Sequence, residues 1–570
     1  MVPLRPCASA PRRTSGTGRP VVGSRSRGDV WTGVTWIAFA LLAVLLILPL
    51  GRLLWASLLD KGGGLTLVHY RDFLAYPYYA RTIGHSFLVS TLVTLFALIV
   101  AVPVAFILAR VHLPGKAVLT TLAILPLVSP PFIGAYSWIL LFGRAGYVTS
   151  LFQEIGITIP TVYGMHGIVL ALALNLYPFV LLMVTGALRA LDQSLEEAAQ
   201  GLGSSPWRVF WTVTVPVTSP SILGGALLVF LTAFAEFGAP MIIGEGYQVL
   251  PTIVYSLFVN EMGSNPAMAS TAATLLVFCT TGILLVQYWA VGRRRYAMSQ
   301  MRPIPSTRLR PTLQWLCAGV VYLVVGLSLI PAIVVAVTSF FESRGPVLYP
   351  NFSLGNYGEV LFNVPRAIAN SFLLSSLSTV LDVLLGTLIA YLVVRRRSAT
   401  TAALDSCVMV PYAIPGTVIG VAFIVAFNKP PLVLTGTFMI LLLAYFIRRL
   451  PYSVRAGSAI LHQIDPAVEE ASISLGVSPL KSFAKITARL MMPGIVSGGI
   501  LTWVQTITEI SATIFLYFGA WSTITVVIYR QVSSSNFGSA AAASTLLLVA
   551  VFIPVLAVNW VMGERAVTAV

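Results

Sequence analysis

Long apolar runs limit what this chain can fold into more than any other feature. They fall at residues 31–56, 84–109, 119–142, 165–188, 220–243, 267–291, 313–340, 369–394, 403–427, 436–459, 496–518 and 540–561, separated by short polar connectors. A helix needs about 20 apolar residues to cross a hydrocarbon layer about 30 Å thick, so each run is long enough for one crossing. Of the 570 residues, 57% are hydrophobic and 9% charged, against about 25% charged in soluble globular proteins. The chain reads as an all-α membrane protein with twelve transmembrane helices, and a soluble enzyme is excluded.

The 35 lysines and arginines against 19 acidic residues give a net charge of +16, which in a soluble protein would point to nucleic acid. Its placement gives it another meaning. With the amino terminus inside, 24 of the basic residues fall in connectors predicted to be cytoplasmic, in clusters such as Arg293-Arg294-Arg295 and Arg395-Arg396-Arg397, and nine fall opposite. That asymmetry is the orientation signal of an inner-membrane protein with both termini cytoplasmic, and no nucleic acid is needed to explain it. Residues 1–29, rich in Arg, Ser, Pro and Gly, read as a disordered basic cytoplasmic tail. The run that follows is longer than the about 7–15 apolar residues of a secretion signal, so it is expected to be retained. Cys7, Cys279, Cys317 and Cys407 lie too far apart for a zinc site or a disulfide framework and read as small buried apolar residues.

Shifted by 285 residues, the chain matches itself: His85-Ser86-Phe87-Leu88 falls on Asn370-Ser371-Phe372-Leu373, Arg110 on Arg395, Pro126 on Pro411 and Pro130 on Pro415. A longer loop in the first copy then lowers the offset to 273, which pairs Pro178 with Pro451, Asp192 with Asp465, Glu196-Glu197 with Glu469-Glu470, Gly203 with Gly476 and Glu236 with Glu509. Each copy holds six runs, an even number, so both cross the bilayer in the same direction. Two parallel six-helix repeats are therefore expected, related by an axis along the membrane normal, with a pathway between them. The expected units are a first transmembrane domain at 30–291, a basic cytoplasmic linker at 292–312 and a second transmembrane domain at 313–565. This favours a transporter. Zinc-ligand spacing, a G-x-S-x-G elbow and a P-loop are all missing; Gly115-Lys116 lacks the upstream glycine and precedes an alanine, so no nucleotide-hydrolysing site is expected in the chain.

One pattern recurs between the fourth and fifth runs of each copy. The first instance reads Asp192-Gln193-Ser194-Leu195-Glu196-Glu197-Ala198-Ala199-Gln200-Gly201-Leu202-Gly203, then Ser205-Pro206; the second reads Asp465-Pro466-Ala467-Val468-Glu469-Glu470-Ala471-Ser472-Ile473-Ser474-Leu475-Gly476, then Ser478-Pro479. The aspartate can cap a short helix whose first turn carries two glutamates, favourable at the positive end of its dipole. The glycine ends that helix in a left-handed cap and Ser-Pro starts a second short helix. The result is a bent knob on the cytoplasmic side, suited to a groove in a partner.

These residues resemble the signature of the permease subunits of binding-protein-dependent ATP-binding-cassette importers, Glu-Ala-Ala, three residues, then Gly. The resemblance runs over about residues 31–565 and implies the type I importer transmembrane-domain fold. It implies a homodimeric ATPase as the partner, with Glu197 and Glu470 as polar contacts and Ala198, Ala199, Gly203, Ala471 and Gly476 permitting close approach. Ser472 stands in place of the second alanine. Arg489 stands where the first copy has Pro216, so the second knob is expected to join its span differently. ATP is bound by the partner, and no cofactor is expected in this chain.

Glu236 and Glu509 fall about 14 residues into the fifth and eleventh runs. A carboxylate at that depth costs a few kcal/mol unless it faces water or a partner, so a pathway lining or gate is one reading and a structural hydrogen bond or ion pair between helices the other. Arg448 and Arg449 lie in the tenth run beside Pro451 and Asp382 in the eighth; a buried ion pair among them is one possibility, and an arginine attracting an anionic cargo is another. Arg448 joins the two glutamates as a pathway candidate. The five histidines are scattered, and no metal site is expected.

Ala235-Glu236-Phe237-Gly238-Ala239-Pro240, Glu509-Ile510-Ser511-Ala512-Thr513 and Leu450-Pro451-Tyr452-Ser453-Val454-Arg455 look like stretches of the fused permeases of ferric iron uptake. That resemblance implies ferric iron delivered by an extracytoplasmic solute-binding protein. Similar permeases carry thiamine, polyamines or phosphonates, which stay open as alternative cargoes. An ion-driven secondary carrier of the major-facilitator type also has two parallel six-helix halves; it would need no ATPase. An intramembrane enzyme or channel would need a catalytic constellation or a filter motif.

Overall fold

The computed structural model describes residues 30–60, 62–259, 265–292, 310–345 and 347–562. The basic tail at 1–29 and nearly all of the linker at 292–312 lie outside them. In chain order the first copy contributes α1 (Val30–Ser57), α2 (Pro77–Arg110), α3 (Lys116–Ile124), α4 (Pro131–Phe142), α5 (Met165–Ala190), α6 (Gln193–Gly201), α7 (Pro206–Ala235), α8 (Gly238–Ile243), α9 (Leu250–Val259) and α10 (Pro266–Gly292). The second contributes α11 (Pro311–Thr338), α12 (Pro365–Arg395), α13 (Ala399–Ala413), α14 (Gly416–Phe427), α15 (Phe438–Leu461), α16 (Pro466–Ser474), α17 (Pro479–Ile507), α18 (Thr513–Leu516), α19 (Ile524–Ser533) and α20 (Phe537–Met562). Shorter helices occupy connectors, as does an antiparallel hairpin of Phe341–Arg344 with Val347–Phe352.

By length and composition, nine of the described helices can cross a membrane, and up to eleven if each of two bent pairs is one span. The bent pairs correct the expectation of straight runs at 119–142 and 403–427. Lys116–Leu127 meets Pro131–Glu154 at 95°, and α13 meets α14 at 106°. Proline causes both breaks: the residue before a proline is driven out of the helical region, and Pro130 and Ile414 have extended ψ values of 133° and 124°. α15 matches the run at 436–459 but carries Arg448, Arg449 and Arg455, which keeps it out of the count made on apolar character.

Three helices form the middle of each copy: α2, α5 and α7 pack together in the first, α12, α15 and α17 in the second. Small residues let them close. A Cβ on Gly386 would lie 2.6 Å from the Ser453 Cβ, and one on Gly457 2.9 Å from the Ala390 Cβ. Lipid tails are as apolar as leucine, so close backbone approach takes over the part that the hydrophobic effect plays in water. The first helix of each copy is exchanged: α1 packs on α14 of the second copy, and α11 on α4 of the first. Arg52 Nη1 fastens α1 with a 2.8 Å bond to the Ala426 carbonyl. Buried clusters cross the repeat boundary as a result, one joining Leu42, Leu46 and Leu53 to Phe423 and Phe427, another joining Val321 and Val325 to Ala97 and Leu172.

α7 and α17 begin earlier than the runs at 220–243 and 496–518. Each starts at the Pro of its Ser-Pro pair, passes through a π-helical turn (Phe210–Thr214, Phe483–Thr487) and continues into the apolar stretch. The second short helix expected after each glycine is therefore the first turn of a long one. Glu236 and Glu509 consequently lie just past the helix ends at Ala235 and Ile507, not within spans. The same turn occurs in both copies, so Arg489 in place of Pro216 does not change how the second knob joins its span. Cys279, Cys317 and Cys407 are free and half-buried rather than buried; Cys7 lies outside the described residues.

Candidate functional site

Each copy folds its recurring pattern into an elbow. The Asp192 carboxylate accepts the Ser194 N–H at 2.9 Å and caps α6; Asp465 accepts the Ala467 N–H at 2.9 Å and caps α16. Gly203 and Gly476 follow with φ of +86° and +87°, where a side chain is strained. A Cβ on either would meet nothing within 4 Å, so within the chain these glycines serve the turn and not a close contact.

The two glutamates of each elbow have opposite fates. Glu196 accepts from Arg110 Nη1 and Nη2 at 3.1 and 2.7 Å and from Thr214 Oγ1 at 2.8 Å. Glu469, 8% exposed, accepts from the Tyr391 hydroxyl and from Thr487 Oγ1, the latter at 3.0 Å. Thr214 and Thr487 are repeat partners. Phe106 stands where the second copy has Tyr391, so the first elbow is fastened to the end of α2 by an arginine and the second to the end of α12 by a phenol. Arg395, the partner of Arg110, bonds the Ile464 carbonyl at 2.7 Å instead. Glu197, Ala198, Gly203, Glu470, Ala471 and Gly476 are exposed, Ala199 is half-buried and Ser472 is buried. Glu197 accepts a local bond from Gln193 Nε2, at 2.7 Å. Leu202 and Leu475, a repeat pair that the sequence reading passed over, are 88% and 85% exposed at the tips of the elbows. Their signal was a leucine directly before each capping glycine.

A charge cluster occupies the contact between the copies. Glu509, 5% exposed, accepts from Arg449 Nη2 at 2.5 Å and the Ala512 N–H at 3.1 Å, and Arg448 pairs with the same carboxylate. Arg449 also donates to the Gln505 carbonyl at 2.7 Å. The Arg448 guanidinium fills the space beside Gly416, at the start of α14. Glu236 is half-buried, accepts the Gly238 N–H at 3.0 Å, and lies within electrostatic reach of Glu509 and Arg448. Gly238 abuts Ile510 of the other copy. Phe515 meets Tyr255 and Phe258 with ring centroids 5.5 and 5.7 Å apart. The structure thus brings Glu236, Glu509 and Arg448 together. It does not make Asp382 the salt-bridge partner of either arginine, because Glu509 takes both. Among the described residues no group of three or more His, Cys, Asp or Glu is placed to hold a metal ion.

Residues 101–295 and 382–563 match the family model described as "Binding-protein-dependent transport system inner membrane component". The chain is 30% identical over 516 residues to the ferric transport system permease protein FbpB of Actinobacillus pleuropneumoniae, covering 87% of this chain and 73% of that protein. It is 30% identical to the putative ferric transport system permease protein FbpB 1 of Haemophilus influenzae, covering 78% and 71%. Over 214 residues it is 37% identical to the molybdenum transport system permease protein ModB of Escherichia coli, covering 36% of this chain and 92% of that one. With two matched segments and two relatives 30% identical over more than two thirds of their length, the chain belongs to the binding-protein-dependent transport system inner membrane components: it is a multi-pass permease of an ATP-binding-cassette importer, not a catalytic subunit.

Proposed function

We propose that the two copies form a twelve-span type I transmembrane unit with both termini cytoplasmic, in which each bent pair counts as one span and α15 is the twelfth. Residues 30–291 and 313–565 are its two transmembrane domains, with 292–312 as the linker. α6 and α16 dock on a dimeric ATPase through Glu197, Ala198, Ala199 and Gly203 and through Glu470, Ala471 and Gly476; Ser472, expected beside them, is buried and faces into the elbow rather than the docking surface. The observation that carries this reading is the pair of repeat-related elbow tips, each exposing a leucine at 88% and 85%; two such tips fit the equivalent grooves of a two-fold partner. ATP-driven closure of that partner draws the elbows together. Glu196 and Glu469 pass the movement to α2 and α12, and the gate is the contact that holds Glu236, Glu509 and Arg448.

The cargo is ferric iron, delivered by an extracytoplasmic binding protein. Two ferric permeases about equally similar over most of their length support this. Conduction works through weak sites, so selection rests with the delivering protein. Vesicles containing the chain and its ATPase, supplied with binding protein carrying radiolabelled ferric iron, test both parts. ATP-dependent uptake is expected, and it should be lost when Gly203→Val and Gly476→Val are combined. Uptake of molybdate with none of iron would replace the cargo, and uptake on an ion gradient without the ATPase would replace the mechanism.

A further inference from the structure

Asp382 lies in the middle of α12 at 0% exposure. Its Oδ2 accepts from Ser378 Oγ at 3.4 Å, and its Oδ1 has no hydrogen-bond partner among the described residues. An ionisable group inside a span is costly and calls for a partner. Ala97 holds the repeat-related position in the first copy and is equally buried, so the fold does not need a carboxylate there. α12 and α15 lie side by side in the same direction: Gly386 meets Ser453 and Ala390 meets Gly457, each pair separated by 67 residues. Asp382 and Arg449 have the same separation, one helical turn before the first of those contacts. They therefore stand level across the helix interface, and Arg449 is within electrostatic reach of Asp382.

Arg449 is held elsewhere, by Glu509 and the Gln505 carbonyl. Glu509 already has Arg448 as well. Its segment, between α17 and α18, carries Ile510, which abuts Gly238 of the other copy, and leads to Phe515, which packs on Tyr255 and Phe258. Parting the copies removes the contacts that brace this segment from the first copy and leaves it free to shift, whereas the α12–α15 contact lies within one copy. A guanidinium left behind needs a new anion.

We propose that Asp382 is a positioning residue, a second acceptor that takes Arg449 from Glu509 when the contact between the copies opens. This rests on the gate reading above but not on the cargo. The test uses the permease–ATPase complex with the four native cysteines replaced by alanine and the pair Tyr255→Cys and Phe515→Cys introduced, read by cross-linking with and without ATP and vanadate. If ATP leaves cross-linking unchanged in the otherwise native protein, the gate reading itself fails. If ATP lowers it there, Asp382→Asn is expected to assemble normally and lose most of that response, at least fivefold; a response equal to the native one overturns the proposal. Assembly supplies the second readout. Glu509→Gln should still assemble, with Arg449 resting on Asp382, while Glu509→Gln combined with Asp382→Asn should yield at least tenfold less complex. A double variant that assembles as well as Glu509→Gln would show that Asp382 only fills space. If Glu509→Gln alone does not assemble, Asp382 cannot serve as an acceptor, and the proposal also falls.

Discussion

Two glutamates side by side look interchangeable in sequence, and the fold makes them different. Glu196 and Glu469 hold their elbows to the transmembrane helices, while Glu197 and Glu470 face outward. Removing a buried acceptor strands its donors, at about 1–3 kcal/mol, whereas exposed substitutions usually fall within about 0.5 kcal/mol. Glu469→Ala should therefore loosen Pro466–Ser474, seen as faster amide exchange in that helix, and Glu470→Ala should leave exchange unchanged while weakening ATPase binding. At Gly203 the left-handed backbone sets the cost: Gly203→Ala is expected to destabilise the elbow by about 1–2 kcal/mol, again readable by amide exchange, with no clash to add to it. The caps Asp192 and Asp465 and both glycines were legible in the spacing alone. Which glutamate turns inward was not, since that depends on Thr214 and Thr487 arriving from the next helix.

Among elements, the elbows and the broken helices differ in how openly the sequence announced them. Every elbow feature is a local rule: a side chain capping its own helix, a glycine at positive φ, a proline at the first helical turn. The breaks at Pro130–Pro131 and Pro415 rest on a local rule too, yet continuous apolar character on both sides hid them inside runs of spanning length. The run-on from Ser-Pro through a π-helical turn into α7 and α17 was hidden for other reasons: Pro216 and Pro220 look like breaks in the first copy, and Lys481, Lys485 and Arg489 imitate a loop in the second. The elbows are not equal surfaces. Trp207 and Trp211 are 70% and 53% exposed on the first, where the second has Leu480 and Ala484. Leu202→Asp and Leu475→Asp should each lower co-purification of the ATPase, and the pair should abolish it. Normal recovery of the ATPase with the double variant would exclude the elbow tips as the docking surface.

For the whole molecule, the exchange of α1 and α11 ties the copies together independently of the chain that joins them. Two polypeptides divided between residues 300 and 301 should therefore co-purify when made in one cell, through a tag on either; recovery of the tagged half alone would contradict the exchange. Close approach at Gly386 sets a second expectation. Gly386→Leu must push α12 from α15, overpacking that costs about 1–3 kcal/mol or more, and should lower the thermal midpoint of the purified protein. The sequence by itself determined the membrane class, the duplication, the elbows and the family, because each is written in local composition, spacing or self-similarity along one chain. Only the tertiary structure decided that the first helices change places, that Glu509 takes both arginines, that Glu196 and Glu469 are anchors and that Asp382 stands level with Arg449. Those facts depend on which helix faces bury one another, and residues far apart in the chain, with no periodicity linking them, meet only after packing.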